Sequence, residues 1–219
     1  MQFFRSICLA FVAAAAGLAQ DSSKAEFQRI PPRAAPTDYQ TQAKAGDFTI
    51  AAEFTGHSLP TPSMILTTED FVGVEVAIYG PPDSHLRLAV DDFSIRINDK
   101  KAPTGAVPPA AVFKSLRDPE WIPENQAPAA SKGGKTTIGG GGKNQGAEPG
   151  APPPIIHVPI ELERAWSQRV QKAAFAEGDR PLPEAGLIFF PYRGKEKSIA
   201  SVELIYSGAA GKATLALRP

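Results

Sequence analysis

Two blocks of alternating apolar residues, held apart by a long stretch with little to bury, constrain this chain more than any other feature. A period of two is the mark of a strand with one face in a core. Phe48, Ile50, Ala52 and Phe54 alternate with Asp47, Thr49, Ala51 and Glu53. Gly56 and the Pro60/Pro62 pair end that run. Phe71 to Tyr79 follows, rich in β-branched residues, with Val72, Val74, Val76 and Ile78 on one face. Gly80 to Asp83 reads as a turn. Leu86, Leu88 and Val90 alternate again, Asp91-Asp92 interrupts, and Phe93, Ile95 and Ile97 make a further strand before an Asn98-Asp99 turn.

The second block lies near the C-terminus. It holds Leu187 to Phe190, a turn at Gly194 to Lys197, and a strand from Ser198 to Tyr206 with Val202, Leu204 and Tyr206 on one face. A turn at Ser207 to Gly211 leads to a last strand, Ala213 to Leu217. The total is about seven strands, the number and turn spacing of an immunoglobulin-like antiparallel β-sandwich. Phe48, Val74, Phe93, Phe189 and Leu204 are expected to share one interior.

Between the blocks, residues 123–158 contain 6 prolines and 8 glycines. Such composition buries too little apolar surface to offset its ordering entropy, so a disordered insertion is expected. Before it, Ala110 to Trp121 reads as a short helical turn. After it, Leu162, Trp166, Val170 and Ala173 or Ala174 form a stripe at spacings of three and four, with Pro159 opening a helix and Gly178 stopping it.

The N-terminus resembles a secretory signal. One positive charge, Arg5, precedes an apolar run from Ile7 to Ala16, and small residues Gly17 and Ala19 suit cleavage. The run is too short to cross a bilayer, which needs about 20 residues. The expected organisation is a signal over 1–19, a flexible lead-in over 20–45, and one domain over 46–219 interrupted at about 123–158. The mature chain would be exported, to periplasm or medium, with no transmembrane segment. The single cysteine, Cys8, lies inside the signal, so no mature disulfide or thiolate metal site is expected. The 23 basic residues balance the 23 acidic ones and form no basic block, which argues against nucleic acid as a partner.

Several segments carry a family likeness. Gly46 to Ile50, Val72 to Ile78, Leu86 to Leu88, Asp92 to Ile95, Leu182 to Phe190 and Lys212 to Leu217 resemble the strands of exported bacterial immunoglobulin-like domains of unknown function. A mycobacterial secreted immunoprotective antigen is similar to these in fold. The chain departs from them in lacking a lipobox cysteine, in carrying Tyr79-Gly80-Pro81 where they have an asparagine, and in its long insertion. The resemblance implies a sandwich and an exported setting, and no catalytic residues.

Candidate chemistry reads mostly negative. His57, His85 and His157 are too scattered for the usual zinc spacings and read as solvated loop residues. Asp83, Asp91 and Asp92 are thin for a calcium loop and read as strand-end carboxylates. Ala129 to Thr136 nearly spells a phosphate-binding loop. It has alanine where glycine is required, and neither a buried strand before it nor a helix after it. No nucleophile elbow occurs, and Glu184 and Glu203 read as surface charges. No catalytic residue, cofactor or metal is expected.

Aromatic binding is the remaining candidate, from Trp121, Trp166, Tyr79, Tyr192 and Tyr206, with core packing as the plainer reading. In Phe189 to Arg193, Pro191 ends a strand and turns Tyr192 and Arg193 toward the rim. Trp166 is taken as the helix's anchor to the sheet, or as a third rim residue that stacks on a ligand. The expected function is an exported, non-catalytic binding or scaffolding domain whose partner is an envelope or extracellular protein. The alternatives are an envelope-acting hydrolase and a structural envelope protein.

Overall fold

The computed structural model describes residues 29–122 and 158–219. The signal-like segment with Cys8, the glycine-rich stretch, the phosphate-loop-like sequence and His157 lie outside the described residues. The fold is mainly β, with several antiparallel sheets and one α-helix. In chain order the strands are β1 (Thr41–Ala45), β2 (Phe48–Gly56), β3 (Ser58–Pro60), β4 (Ile65–Thr68), β5 (Phe71–Tyr79), β6 (His85–Leu88), β7 (Phe93–Ile97), β8 (Thr104–Gly105) and β9 (Leu116–Arg117). After the helix α1 (Ile160–Ala173) come β10 (Gly178–Pro181), β11 (Glu184–Pro191), β12 (Val202–Gly208) and β13 (Gly211–Leu217).

Two four-stranded sheets carry the architecture, in the orders β1-β2-β5-β11 and β13-β12-β7-β8. The first joins the two halves of the sequence directly. Val76 on β5 faces Gly186 on β11, and Val74 faces Ile188. The second does the same, pairing Ile95 on β7 with Leu204 on β12. One cluster then collects the alternating residues of both sheets: Ile50 and Ala52, Val72 to Ile78 at every second position, Ile188 and Phe190, with Phe93, Ile95, Leu204, Tyr206 and Leu215. At its centre the Phe93 ring lies 5.5 Å from Phe175, edge-on, and 5.0 Å from Tyr206. Burying a side chain of this size contributes roughly 1.5–3 kcal/mol.

The outward side of β5 and β11 is covered as well. Leu187 and Phe189 form a second cluster with Leu59, Leu66, Val112, Leu116 and the helix residues Trp166, Val170 and Ala173. Phe189 therefore does not join Phe48, Val74, Phe93 and Leu204. It points to the opposite face of the same strand. The unbroken run Leu187 to Phe190 is the signature of a strand buried on both sides, where alternation disappears.

Three further expectations need correction. The lead-in over 20–45 is not uniformly flexible, because Thr41–Ala45 pairs with β2 through its full length. Ala43 packs against the main cluster and Ala45 lies within it. The hairpin turns at Gly46, whose φ of +59° favours glycine and whose added Cβ would stand 2.9 Å from the Ala210 carbonyl oxygen. Gly178 does not stop the helix. The chain leaves it at Ala174, where the Phe175 N–H donates to the Leu187 carbonyl at 2.9 Å. Gly186 permits that approach, since a Cβ there would lie 2.5 Å from the Phe175 Cα. The stretch Ala110 to Trp121 holds two short 3-10 turns and the strand β9 rather than one helical turn.

Among the described residues no helix is long and apolar enough to cross a membrane. Residues Glu161 and Glu163 sit in the first turn of α1 and Lys172 in the last, the polarity that suits the helix dipole.

Candidate functional site

The loop that leaves β11 brings together the residues with the most pointed geometry. Pro191 is the last residue of β11 and faces Phe71. It has no N–H to extend the ladder, so the chain departs there. Tyr192 takes up the next bond, its N–H donating to the Asp70 carbonyl at 2.9 Å. Its ring folds over Gly194, where an added Cβ would meet the phenol oxygen at 2.4 Å. Ser198 donates its hydroxyl proton to the Lys195 carbonyl at 2.6 Å, which leaves Tyr192 as donor in the 3.1 Å contact between the two hydroxyls.

Arg193 projects outward. Its Nε lies 3.0 Å from the Asp70 carboxylate, yet 84 % of the side chain is exposed. An ion pair this wet contributes at most about 1 kcal/mol, so the guanidinium keeps donors free for another partner.

His57 fixes this loop from behind. It follows Gly56 at the corner between β2 and β3. One ring nitrogen, Nδ1, lies 2.7 Å from the Phe71 carbonyl oxygen, and the other, Nε2, lies 2.8 Å from that of Gly194. The imidazole sits 5.9 Å from the Tyr192 ring. The Glu196 carboxylate is packed onto the Cα of Gly56, where a Cβ would stand 2.2 Å from Oε1. His57 is thus no solvated loop residue: it ties two distant backbone segments together. Sequence gave no sign of this, because both acceptors are main-chain carbonyls brought near by folding.

Trp166 is not part of this rim. It is 2 % exposed, in the second cluster, with Trp121 edge-on at 6.3 Å. Its indole N–H has no hydrogen-bond partner among the described residues. The anchor reading of Trp166 holds, and ligand stacking would require a surface it does not have. Tyr206 is likewise buried, its hydroxyl accepting from the Ala210 N–H at 3.1 Å. Tyr79 donates its hydroxyl to the Arg33 carbonyl at 2.7 Å.

The remaining candidates lie apart. His85 on β6 reaches diagonally to Asp179 on β10, at 3.6 Å, with both side chains largely exposed. Glu203 pairs with Arg96, and Glu184 with Arg29 at 3.0 Å. Asp83 takes a φ of +58° in its turn. Asp91 and Asp92 close a 3-10 turn, and burial, with Asp91 beside it, raises the Asp92 carboxyl above the usual range. Among the described residues no three histidine, cysteine or carboxylate side chains converge on a metal position.

A second polar cluster lies in the stretch read as lead-in. Arg33 reaches both Glu53 on β2 and Glu75 on β5, the latter at 3.1 Å. These two carboxylates face each other directly across the strands. The guanidinium also stacks 4.3 Å from the Tyr39 ring centre. Glu75 is only 8 % exposed, so the arginine neutralises a charge that could not remain buried alone. Burial raises the pKa of both Tyr39 and Tyr79, which keeps the phenols protonated, and Tyr39 accepts from the Arg33 N–H at 3.2 Å. A cavity of about 140 Å³ adjoins Glu75, between Ile30, Pro31 and the Pro60–Pro62 turn. Another, of about 290 Å³, lies between Phe113 and the helix residues Ser167, Gln168, Gln171 and Lys172. Among the described residues, no histidine lines either cavity.

Comparison with known proteins leaves the chain on its own evidence: no family model, no curated protein and no solved structure matches it at a significant level.

Proposed function

We propose that the chain is an exported, non-catalytic binding or scaffolding domain, built as an immunoglobulin-like sandwich, that offers Tyr192 and Arg193 to a protein of the cell envelope or the extracellular space. The sandwich reading is supported by the single cluster that draws on both four-stranded sheets. Export is supported by the sequence of residues 1–19, a charged start followed by an apolar run and small residues.

The observation that carries the binding reading is the loop 192–198. Bonds from the Tyr192 N–H to the Asp70 carbonyl and from the His57 ring to the Gly194 carbonyl hold its backbone, while Arg193 stays 84 % exposed. A loop fixed in advance loses little entropy on docking, and an exposed guanidinium beside a phenol supplies both directional donors and flat apolar area. Trp166 is dropped from the rim because it is buried.

The test is capture of partners from an envelope extract by the wild-type chain and by the Tyr192→Ala/Arg193→Ala double variant. At least one protein retained by the wild type should be lost by at least tenfold with the variant, matching the 1–3 kcal/mol of a truncated interface anchor. Identical capture by both would remove the rim from consideration.

A further inference from the structure

His57 makes an unusual demand on its own chemistry. Two carbonyl oxygens face its two ring nitrogens, at 2.7 and 2.8 Å. A carbonyl oxygen only accepts. A neutral imidazole carries one N–H, so it serves one of these oxygens and turns a lone pair toward the other. A ring carrying two protons donates to both. The two acceptors belong to different parts of the fold: Phe71 begins β5 in the first sheet, and Gly194 lies in the loop that bears Tyr192 and Arg193. The proton on the second nitrogen is therefore what joins the loop to the sheet at this point.

The charged groups around the ring are of both signs. From the loop, the Glu196 carboxylate lies against Gly56, the residue before His57. Asp70, next to the Phe71 acceptor, is engaged by Arg193 at 3.0 Å. Lys195 and Lys197 flank Glu196 and are exposed. Tyr192 presents its ring, at 5.9 Å, and directs its hydroxyl to Ser198.

We propose that a proton on His57 latches the Tyr192–Ser198 loop, so that the rim is ordered in mildly acidic surroundings and loosened in mildly alkaline ones. The sign follows from the bond count. The latched loop gives both ring protons an acceptor, whereas with the loop released only the Nδ1 proton keeps one, at the Phe71 carbonyl. Acid therefore favours the latched state, and one of the two bonds is lost as pH rises through the range in which histidine titrates, between about 5 and 8. The latch itself is a property of this chain alone; its meaning as control of partner binding rests on the rim reading given above.

Amide hydrogen exchange on the full chain tests it. The Tyr192 N–H is bonded to the Asp70 carbonyl outside the loop, so this amide reports loop closure, and the Ser198 and Ile199 N–H groups, bonded to Lys195 and Glu196 in the loop's own 3-10 turn, report its internal order. After correction for intrinsic exchange, their protection should be about tenfold or more higher near pH 5 than near pH 8, as one charge-assisted hydrogen bond implies. The midpoint should coincide with the titration of the His57 ring followed by NMR in the same sample. His57→Gln should abolish the pH dependence, and His85→Gln, on the distant two-stranded sheet, should leave it intact.

Protection that does not change with pH overturns the latch, and so does a midpoint unrelated to the His57 ring. The midpoint comparison uses the wild-type chain, so it stands even where His57→Gln does not fold. The two readings fail separately. Capture unchanged by Tyr192→Ala/Arg193→Ala removes the binding rim and leaves the latch, whereas pH-independent protection removes the latch and leaves the rim.

Discussion

At the scale of single residues, stability is concentrated where a charge is buried with one partner. Arg33 stands between Glu53 and Glu75, which face each other across β2 and β5. Like charges in that register repel, and Glu75 is almost wholly removed from water. Arg33→Ala should lower unfolding free energy by about 2–4 kcal/mol in urea titration, toward the range for breaking a buried pair. Adding Glu75→Gln should recover part of that loss, because it removes the stranded charge; a further drop would show that Arg33 acts through packing on Tyr39 instead.

Asp92 works with the opposite sign. Burial raises its carboxyl in the folded state, with Asp91 adding to the effect. Its ionised form is thus less favourable folded than unfolded. The stability it contributes is complete below the carboxyl range of the unfolded chain and declines as pH rises through the folded value. Asp92→Asn should raise the melting temperature at pH 7. The gain should stay below about 1 kcal/mol, since the group is partly solvated and screened. It should vanish in strong acid, where both states are protonated. Thermal melts at pH 7 and near pH 3 would check the sign.

At the scale of elements, the helix and the segment after it depend on contacts the sequence only half announces. The stripe of Trp166, Val170 and Ala173 was plain from its spacing, and all three are buried. Val170 is fully enclosed in the second cluster. Val170→Ala should cost about 1–3 kcal/mol by removing buried methyl groups. The loss should appear in tryptophan fluorescence together with circular dichroism, because Trp166 sits in the same cluster. Gly186 is a sharper case. A Cβ there would lie 2.5–2.8 Å from the backbone of Ala174 and Phe175, which cannot rotate away. Gly186→Ala should therefore destabilise by at least about 2 kcal/mol and detach the helix exit from β11.

At the scale of the whole molecule, the N-terminal stretch belongs to the fold. Arg29 pairs with Glu184, Arg33 with Glu53 and Glu75, Tyr39 packs over Ala51, Ala77 and Ala185, and β1 completes the first sheet. A chain beginning at Gly46, harmless if residues 20–45 were a free lead-in, should lose cooperative unfolding and expose the edge of β2. Retention of the wild-type melting temperature by that truncation would show residues 29–40 and β1 to be dispensable. The reason sequence misjudged this segment is physical. Five residues with polar Thr41, Gln42 and Lys44 bury only Ala45 fully, and so carry almost no periodic signal.

The order of residues states which side chains leave water and at what period. Those two facts are local, and they are enough for β2, β5, β6, β7, β11, β12 and β13 and for the helix with its buried stripe. Whatever depends on meetings between distant segments arises only on folding. Folding split Leu187 to Phe190 between two cores, recruited β1 and Arg33 onto the first sheet, withdrew Trp166 from the surface, and placed two carbonyls on the nitrogens of His57. A main-chain carbonyl is the same at every position, and an ion pair between residues 42 positions apart leaves no periodic trace, so neither could be read before the chain was folded.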